Sequence, residues 1–125
     1  MLSDKEAIAM IAVKDVNASA RFYEGALGLT KLSSEGEEVI TYRSGTSKLN
    51  VYRSQYAGTN KATSVVWNVG DELEAIVADL KSKAVTFEHY NLPGLTLQGD
   101  VHTGGNMKVA WFKDPDGNIL SIVSG

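Results

Sequence analysis

The stretch Thr63-Ser-Val-Val-Trp-Asn-Val69-Gly-Asp71-Glu-Leu73-Glu74-Ala-Ile-Val77-Ala-Asp-Leu80 carries the pattern on which the fold turns. Its first part, Thr63 to Val69, is rich in β-branched residues and predicts a strand. The period then changes. Leu73, Ile76, Val77 and Leu80 follow the i, i+3, i+4, i+7 spacing of one helix face. Asp71 with Glu74 three residues on has the arrangement of a capping box, and Lys81 and Lys83 stand where the helix dipole favours cations.

Downstream, Val85 to His89, Met107 to Phe112 and Asn118 to Val123 read as strands. Between them Asn91 to Gly105, with Pro93 and four glycines, is expected to be irregular and to form a mobile flap. Upstream the same order is found. Ala7 to Val13 predicts a buried strand, Asn17 offers a helix cap, and Ala18 to Ala26 carries apolar rows at helical spacing. Gly28 suits a left-handed helix end, and Leu29 to Ser33, Glu38 to Arg43 and Lys48 to Arg53 are strand candidates. Val13-Lys-Asp15 and Val69-Gly-Asp71 lie 56 residues apart, at matching points of a strand–helix–three-strand unit written twice. The prediction is an α+β fold of two βαβββ modules, about 7–54 and 62–124, with a polar connector 55–61 inside one domain. Paired edge to edge, the modules form a concave sheet with a trough for a small molecule.

Composition narrows the chemistry. The chain has 125 residues, 12 basic and 15 acidic, with a net charge of −3 and no basic stripe, so nucleic acid is not an expected partner. It has no cysteine, which excludes thiolate metal sites, disulfides and thiol nucleophiles. Only His89 and His102 supply imidazole. The first residues carry mixed charge and no apolar run approaches the ~20 residues that span a bilayer, so the expectation is a cytoplasmic protein away from membranes.

The repeat, the Val13-x-Asp15 signature with Phe22-Tyr23 and Leu27-Gly-Leu29 behind it, and Trp111-Phe-Lys-Asp-Pro-Asp-Gly-Asn118 together resemble the vicinal oxygen chelate superfamily. That group includes glyoxalase I, fosfomycin-resistance enzymes, extradiol dioxygenases and bleomycin-resistance proteins. The resemblance covers about residues 7 to 124 and is specific for fold rather than for any one activity. It implies four metal-ligand positions, one on the first and one on the last strand of each module. Here they match Ile8, Asn50, Ser64 and Ser121. None is a histidine or carboxylate, so the resemblance points to metal-free members akin to bleomycin-resistance proteins, with no cofactor.

Strand alternation then names the expected cavity lining. Met10 shares a face with Ile8, Tyr52 with Asn50, Asn68 and Val66 with Ser64, and Ile119 with Ser121. Phe112 and Trp67 are assigned to the core, which turns Trp111 toward the cavity. The candidate ligand-binding set is Met10, Asn50, Tyr52, Ser64, Asn68, His102, Trp111 and Ser121, suited to an aromatic or planar organic molecule. For His102 the plainer expectation is a solvated loop histidine, and the sharper one a hydrogen bond to ligand. Glu88, Asp100 and His102 are close enough in sequence to converge, though at no recognised ligand spacing. Asp114-Pro-Asp116-Gly-Asn118 is explained by turn chemistry, and Glu35-Gly-Glu37-Glu38 by a solvated acidic turn. The expected function is sequestration of a small organic molecule by a homodimer. The alternatives are a glyoxalase-like lyase, isomerase or dioxygenase with an atypical metal or acid–base site, and a ligand-sensing regulatory domain.

Overall fold

The computed structural model describes residues 1–125, which divide into two compact units, Met1–Thr59 and Asn60–Gly125. In the first unit a short 3-10 turn, Leu2–Asp4, precedes β1 (Ala9–Val13), α1 (Val16–Ala20), a π-helical extension Arg21–Ala26, β2 (Thr30–Glu35), β3 (Val39–Ser44) and β4 (Ser47–Arg53). The sheet order is β1-β4-β3-β2, with β1 parallel to β4 and the other pairs antiparallel. One face is apolar. Ile11, Val13, Ile40, Tyr42, Leu49 and Val51 are buried with Val16 and Tyr23 of the helical segment, and the Tyr23 and Tyr42 rings stack at 6.1 Å. Each fully buried side chain of this size contributes ~1.5–3 kcal/mol, so this face holds the unit together.

The helix starts two residues earlier than Asn17 predicts. Asp15 is the cap: its Oδ1 accepts from the amides of Asn17 at 2.9 Å and Ala18 at 3.1 Å. A carboxylate there satisfies two free donors and also meets the positive end of the dipole, so it outcompetes the amide of Asn17. The second half widens to π geometry, closed by the Leu27 amide on the Phe22 carbonyl at 2.9 Å. Gly28 then takes the left-handed conformation, φ 71°.

The second unit contains β5 (Thr63–Asn68), a 3-10 turn Gly70–Glu72, α2 (Leu73–Ser82), β6 (Phe87–Glu88), β7 (Thr96–Gln98), β8 (Val101–Gly104), β9 (Met107–Lys113) and β10 (Ile119–Ser124). Its main path is β5-β10-β9-β8-β7, and β6 pairs with β9 beyond the β8 contact. The predicted apolar row of α2 is met: Leu73, Val77 and Leu80 are buried, with Phe87, Ala110, Phe112, Leu120 and Ile122 also in the core. The capping box is not formed. Because the chain enters α2 through a 3-10 turn, the cap position falls on Glu72, which makes no capping bond, and Glu74 pairs with Lys108 of β9 instead.

The expected irregular flap is also corrected. Residues 96–98 and 101–104 form a hairpin that extends the sheet, turning at Gly99 and Asp100. Gly104 is required by close approach: a Cβ there would lie 2.5 Å from the Gly94 carbonyl oxygen and 2.7 Å from Leu95 Cδ2. The segment before the hairpin therefore rests directly on β8. Trp67, expected in the core, is only half-buried.

Candidate functional site

Each unit packs one sheet face against its own helix and turns the other away. In the first unit that second face carries Met10, Asn50 and Tyr52, as strand parity predicts, while Ile8 stands just before β1, partly exposed. Register aligns Met10, Asn50 and Thr41 across β1, β4 and β3. Their polar atoms satisfy one another: Thr41 Oγ1 donates to Asn50 Oδ1 at 2.7 Å, and Asn50 Nδ2 reaches Met10 Sδ at 3.4 Å. Met10 remains 53% exposed. Behind the sheet, the buried Tyr42 hydroxyl donates to Glu24 Oε2 at 2.9 Å. Burial, then that hydrogen bond and the carboxylate charge, push its phenol above the usual range.

In the second unit, register aligns Val66, Ser121, Trp111 and Glu88 across β5, β10, β9 and β6. Val66 is 55% exposed, while Ser121, opposite Trp111, is buried. Ser64 and Asn68 flank Val66 on β5 and are committed locally: Ser64 Oγ accepts from Asn60 Nδ2 at 3.2 Å, and Asn68 Oδ1 from the Gly70 amide at 3.3 Å. The Trp111 indole N–H donates to Thr63 Oγ1 at 3.2 Å.

The solvated reading of His102 fails, because the ring is 1% exposed. Pairing of β8 with β9 sets it opposite Val109, and it meets Trp111 edge-to-face at 4.9 Å. Its Nε2 accepts from the Tyr90 backbone amide at 3.0 Å. In the neutral ring the proton is therefore on Nδ1, a tautomer assigned from the bond. That atom is buried without a partner, as is the Tyr90 hydroxyl. Each such orphan costs about 1–3 kcal/mol. Tyr90 also touches Trp111 at 5.2 Å and lies nearly parallel to His102 at 6.3 Å. Burial, then the charge of Glu88, raise its phenol above the ordinary value. Tyr90 was missed by sequence reasoning; it lies two residues past the end of β6, where no spacing rule applies.

The trio Glu88, Asp100 and His102 does not assemble as a donor set. Asp100 Oδ1 meets His89 Nε2 at 2.8 Å and Oδ2 meets Lys81 Nζ at 2.7 Å, while Glu88 pairs with Lys113 at 3.4 Å. The hydrogen bond from Lys81, then that from His89, hold the Asp100 carboxyl below its ordinary range. The turn reading of 114–118 holds in detail. Asp114 Oδ1 accepts from the Asp116 and Asn118 amides, both at 2.9 Å, and Oδ2 from Asn118 Nδ2 at 2.8 Å.

A family model described as the Glyoxalase/Bleomycin resistance protein/Dioxygenase superfamily matches residues 7–122. The chain belongs to that superfamily. No curated protein sequence matches it. Among solved structures, an integron cassette protein from the mobile metagenome of the Halifax Harbour sewage outfall is similar at 18% identity. The match covers 97% of this chain and 98% of that one, with a TM-score of 0.71. Lactoylglutathione lyase from Agrobacterium tumefaciens is similar at 18% identity over 97% and 95% of the two chains, TM-score 0.68. The fosfomycin resistance protein FosX of Listeria monocytogenes, complexed with Mn(II) and sulfate, is similar at 12% identity over 97% and 90%, TM-score 0.70. These likenesses establish the fold.

The superfamily's metal positions do not fit a metal in this chain. Ile8 has no donor atom, Asn50 is engaged by Thr41 and Met10, Ser64 by Asn60, and Ser121 is a buried hydroxyl. Nowhere does the structure gather three His, Cys, Asp or Glu side chains that would hold an ion. Divalent zinc, manganese and iron sites need about three or four such donors. No helix is long and apolar enough to cross a membrane.

Proposed function

We propose that this superfamily member is a metal-free binding protein that sequesters an aromatic or planar organic molecule on the sheet faces turned away from its helices. The observation that carries the reading is the donor set: Ile8, Asn50, Ser64 and Ser121 stand where metal-dependent relatives need imidazole or carboxylate. The Trp111, Tyr90 and His102 rings supply apolar area with few polar handles, the usual composition of a small-molecule site. Met10, Asn50, Tyr52, Ser64, Asn68 and Trp111 are its proposed contacts, with the buried His102 and Ser121 of the predicted set lying beneath them as support. It acts in the cytoplasm as a two-fold homodimer, the commonest oligomer.

The test joins metal analysis of the purified protein to a thermal-shift screen of aromatic metabolites and drugs. Expected are no stoichiometric Ni, Zn or Mn and at least one ligand that raises Tm. Trp111→Ala should weaken that ligand ~10-fold or more while the chain stays folded. Tight stoichiometric metal overturns the reading. It would favour instead a lyase, isomerase or dioxygenase with an atypical site, for which the His89–Asp100 pair is the supporting observation.

A further inference from the structure

We propose that a cavity of about 290 Å³ in the second unit, lined by His89, Tyr90, Asn91, Leu95 and Leu97, binds a small organic acid. The apolar body lies against the two leucines and the acidic group meets His89 Nδ1. None of the five lining residues matches a metal-ligand position of the superfamily, and Tyr90, whose ring touches Trp111, is the one shared with the sheet-face reading. His89, which that reading does not use, lets the two be tested apart.

The geometry of His89 sets the chemistry. Its side chain is 50% exposed, yet one nitrogen is fixed: Nε2 lies 2.8 Å from Asp100 Oδ1. Asp100 is held ionised by Lys81, so it can only accept, and Nε2 carries a proton whether the ring is neutral or charged. All proton exchange then falls on Nδ1. A carboxylic acid at Nδ1 shares one proton with it, so a carboxylate binding to the neutral ring takes up one proton and leaves an ion pair. No bond other than that N–H is made or broken. The charged groups around the ring are balanced. Asp100 is paired with Lys81 and Glu88 with Lys113, Tyr90 follows His89 in the chain, and the His102 ring lies 6.5 Å from that of His89. An arriving anion therefore finds the Asp100 and Glu88 carboxylates already compensated.

The walls are preformed. Leu95 belongs to the segment that Gly104 allows onto β8, and the Leu95 amide closes a turn on the Leu92 carbonyl at 3.2 Å. Leu97 stands on β7 with 42% of its surface exposed, a cost that an apolar ligand removes. The volume lies at the small end of the ligand-pocket range of about 300–1,000 Å³, which restricts the ligand to one ring or a short branched chain.

Benzoate, 4-methylpentanoate and benzamide are the probes, followed by NMR of the full chain and by calorimetry in two buffers of different ionisation enthalpy. Both carboxylates should shift the His89, Leu95 and Leu97 signals saturably, with Kd of about 1 mM and with net proton uptake. Benzamide, which has the shape without the acid, should bind at least ~10-fold more weakly. His89→Ala should lose ~10-fold or more in benzoate affinity with Trp111 signals unmoved. Asp100→Asn, which removes the charge fixing the tautomer, should lose ~3-fold or more and lower the proton uptake. Three results overturn the proposal: carboxylates that leave these signals unmoved at about 20 mM, equal affinity for benzamide, or undiminished binding to His89→Ala.

Discussion

The two units open with the same strand and helix 56 residues apart, and the second then inserts the β7–β8 hairpin before its last two strands. Met10 corresponds to Val66, Asn50 to Ser121 and Thr41 to Trp111 in the aligned registers. In the first unit this row is closed on itself by two side-chain contacts, Thr41 to Asn50 and Asn50 to Met10. In the second, a large indole takes the place of threonine, an added β7–β8 hairpin brings in His102, and two buried polar atoms are left without partners. A saturated face stabilises. A face with orphaned donors has free energy to recover on binding. The comparison teaches that the first unit's face is the better satisfied, while the second keeps two buried polar atoms without a partner.

The largest expected contrast lies in the hairpin turns. The β9–β10 turn is built on the buried Asp114 carboxylate with three acceptor bonds, whereas the β3–β4 turn has an exposed Ser47 Oγ donating to the Ser44 carbonyl at 2.8 Å. Asp114→Ala should cost about 3 kcal/mol and Ser47→Ala less than about 0.5 kcal/mol, read from urea midpoints at constant m. Equal costs would break the claim that the two turns are made differently.

Next is the buried, hydrogen-bonded phenol of Tyr42 in the first unit, whose counterpart in register is Phe112. Tyr42→Phe should cost about 1.5 kcal/mol near neutrality, through the lost bond to Glu24. The pH dependence has a defined sign. The folded-state phenol is raised above its unfolded value of about 10, so its contribution is complete below that pH and is lost as pH climbs above it. Alkaline unfolding should therefore be blunted in Tyr42→Phe. An unfolding curve that keeps the wild-type slope above about pH 10 would remove Tyr42 as the cause.

The smallest effect is also the cleanest comparison. Gly28 and Ala84 occupy the same repeat position after the helical segments, and both are left-handed, at φ 71° and 67°. In the second unit the Val85 amide reaches back to the Leu80 carbonyl at 3.0 Å, so the helix is properly closed although alanine is strained there. Ala84→Gly should raise stability by about 1 kcal/mol and Gly28→Ala should lower it by about 1 kcal/mol, measured by thermal or urea unfolding. A loss on Ala84→Gly would mean the repeat positions are not equivalent.

Much of this was legible from residues alone where local rules act without competition. The apolar row of α2 and the parity of Met10, Asn50, Tyr52 and Ser64 follow from fixed side-chain periods. The caps were misread at both helices. Asp15 and Asn17 are both good cap residues, and a 3-10 entry shifts the frame at Asp71 by one residue; such choices depend on the path of the incoming chain. The 91–105 segment was misread because glycine density signals flexibility, whereas Gly104 is there for a close backbone approach.

By itself, the sequence determined the alternation of strands and helices and which face each strand residue takes. Both depend on residue type and spacing; the mapping of the superfamily's metal positions onto Ile8, Asn50, Ser64 and Ser121 rests on the family resemblance. Only the tertiary structure decided that His102 is buried with one nitrogen on the Tyr90 amide, that Asp100 holds His89, and that Trp111 reaches Thr63. These contacts join residues 11 to 48 positions apart, brought together by strand register. A bond from a side chain to a backbone amide leaves no trace in the amino acid that supplies the amide, so no spacing rule announces it.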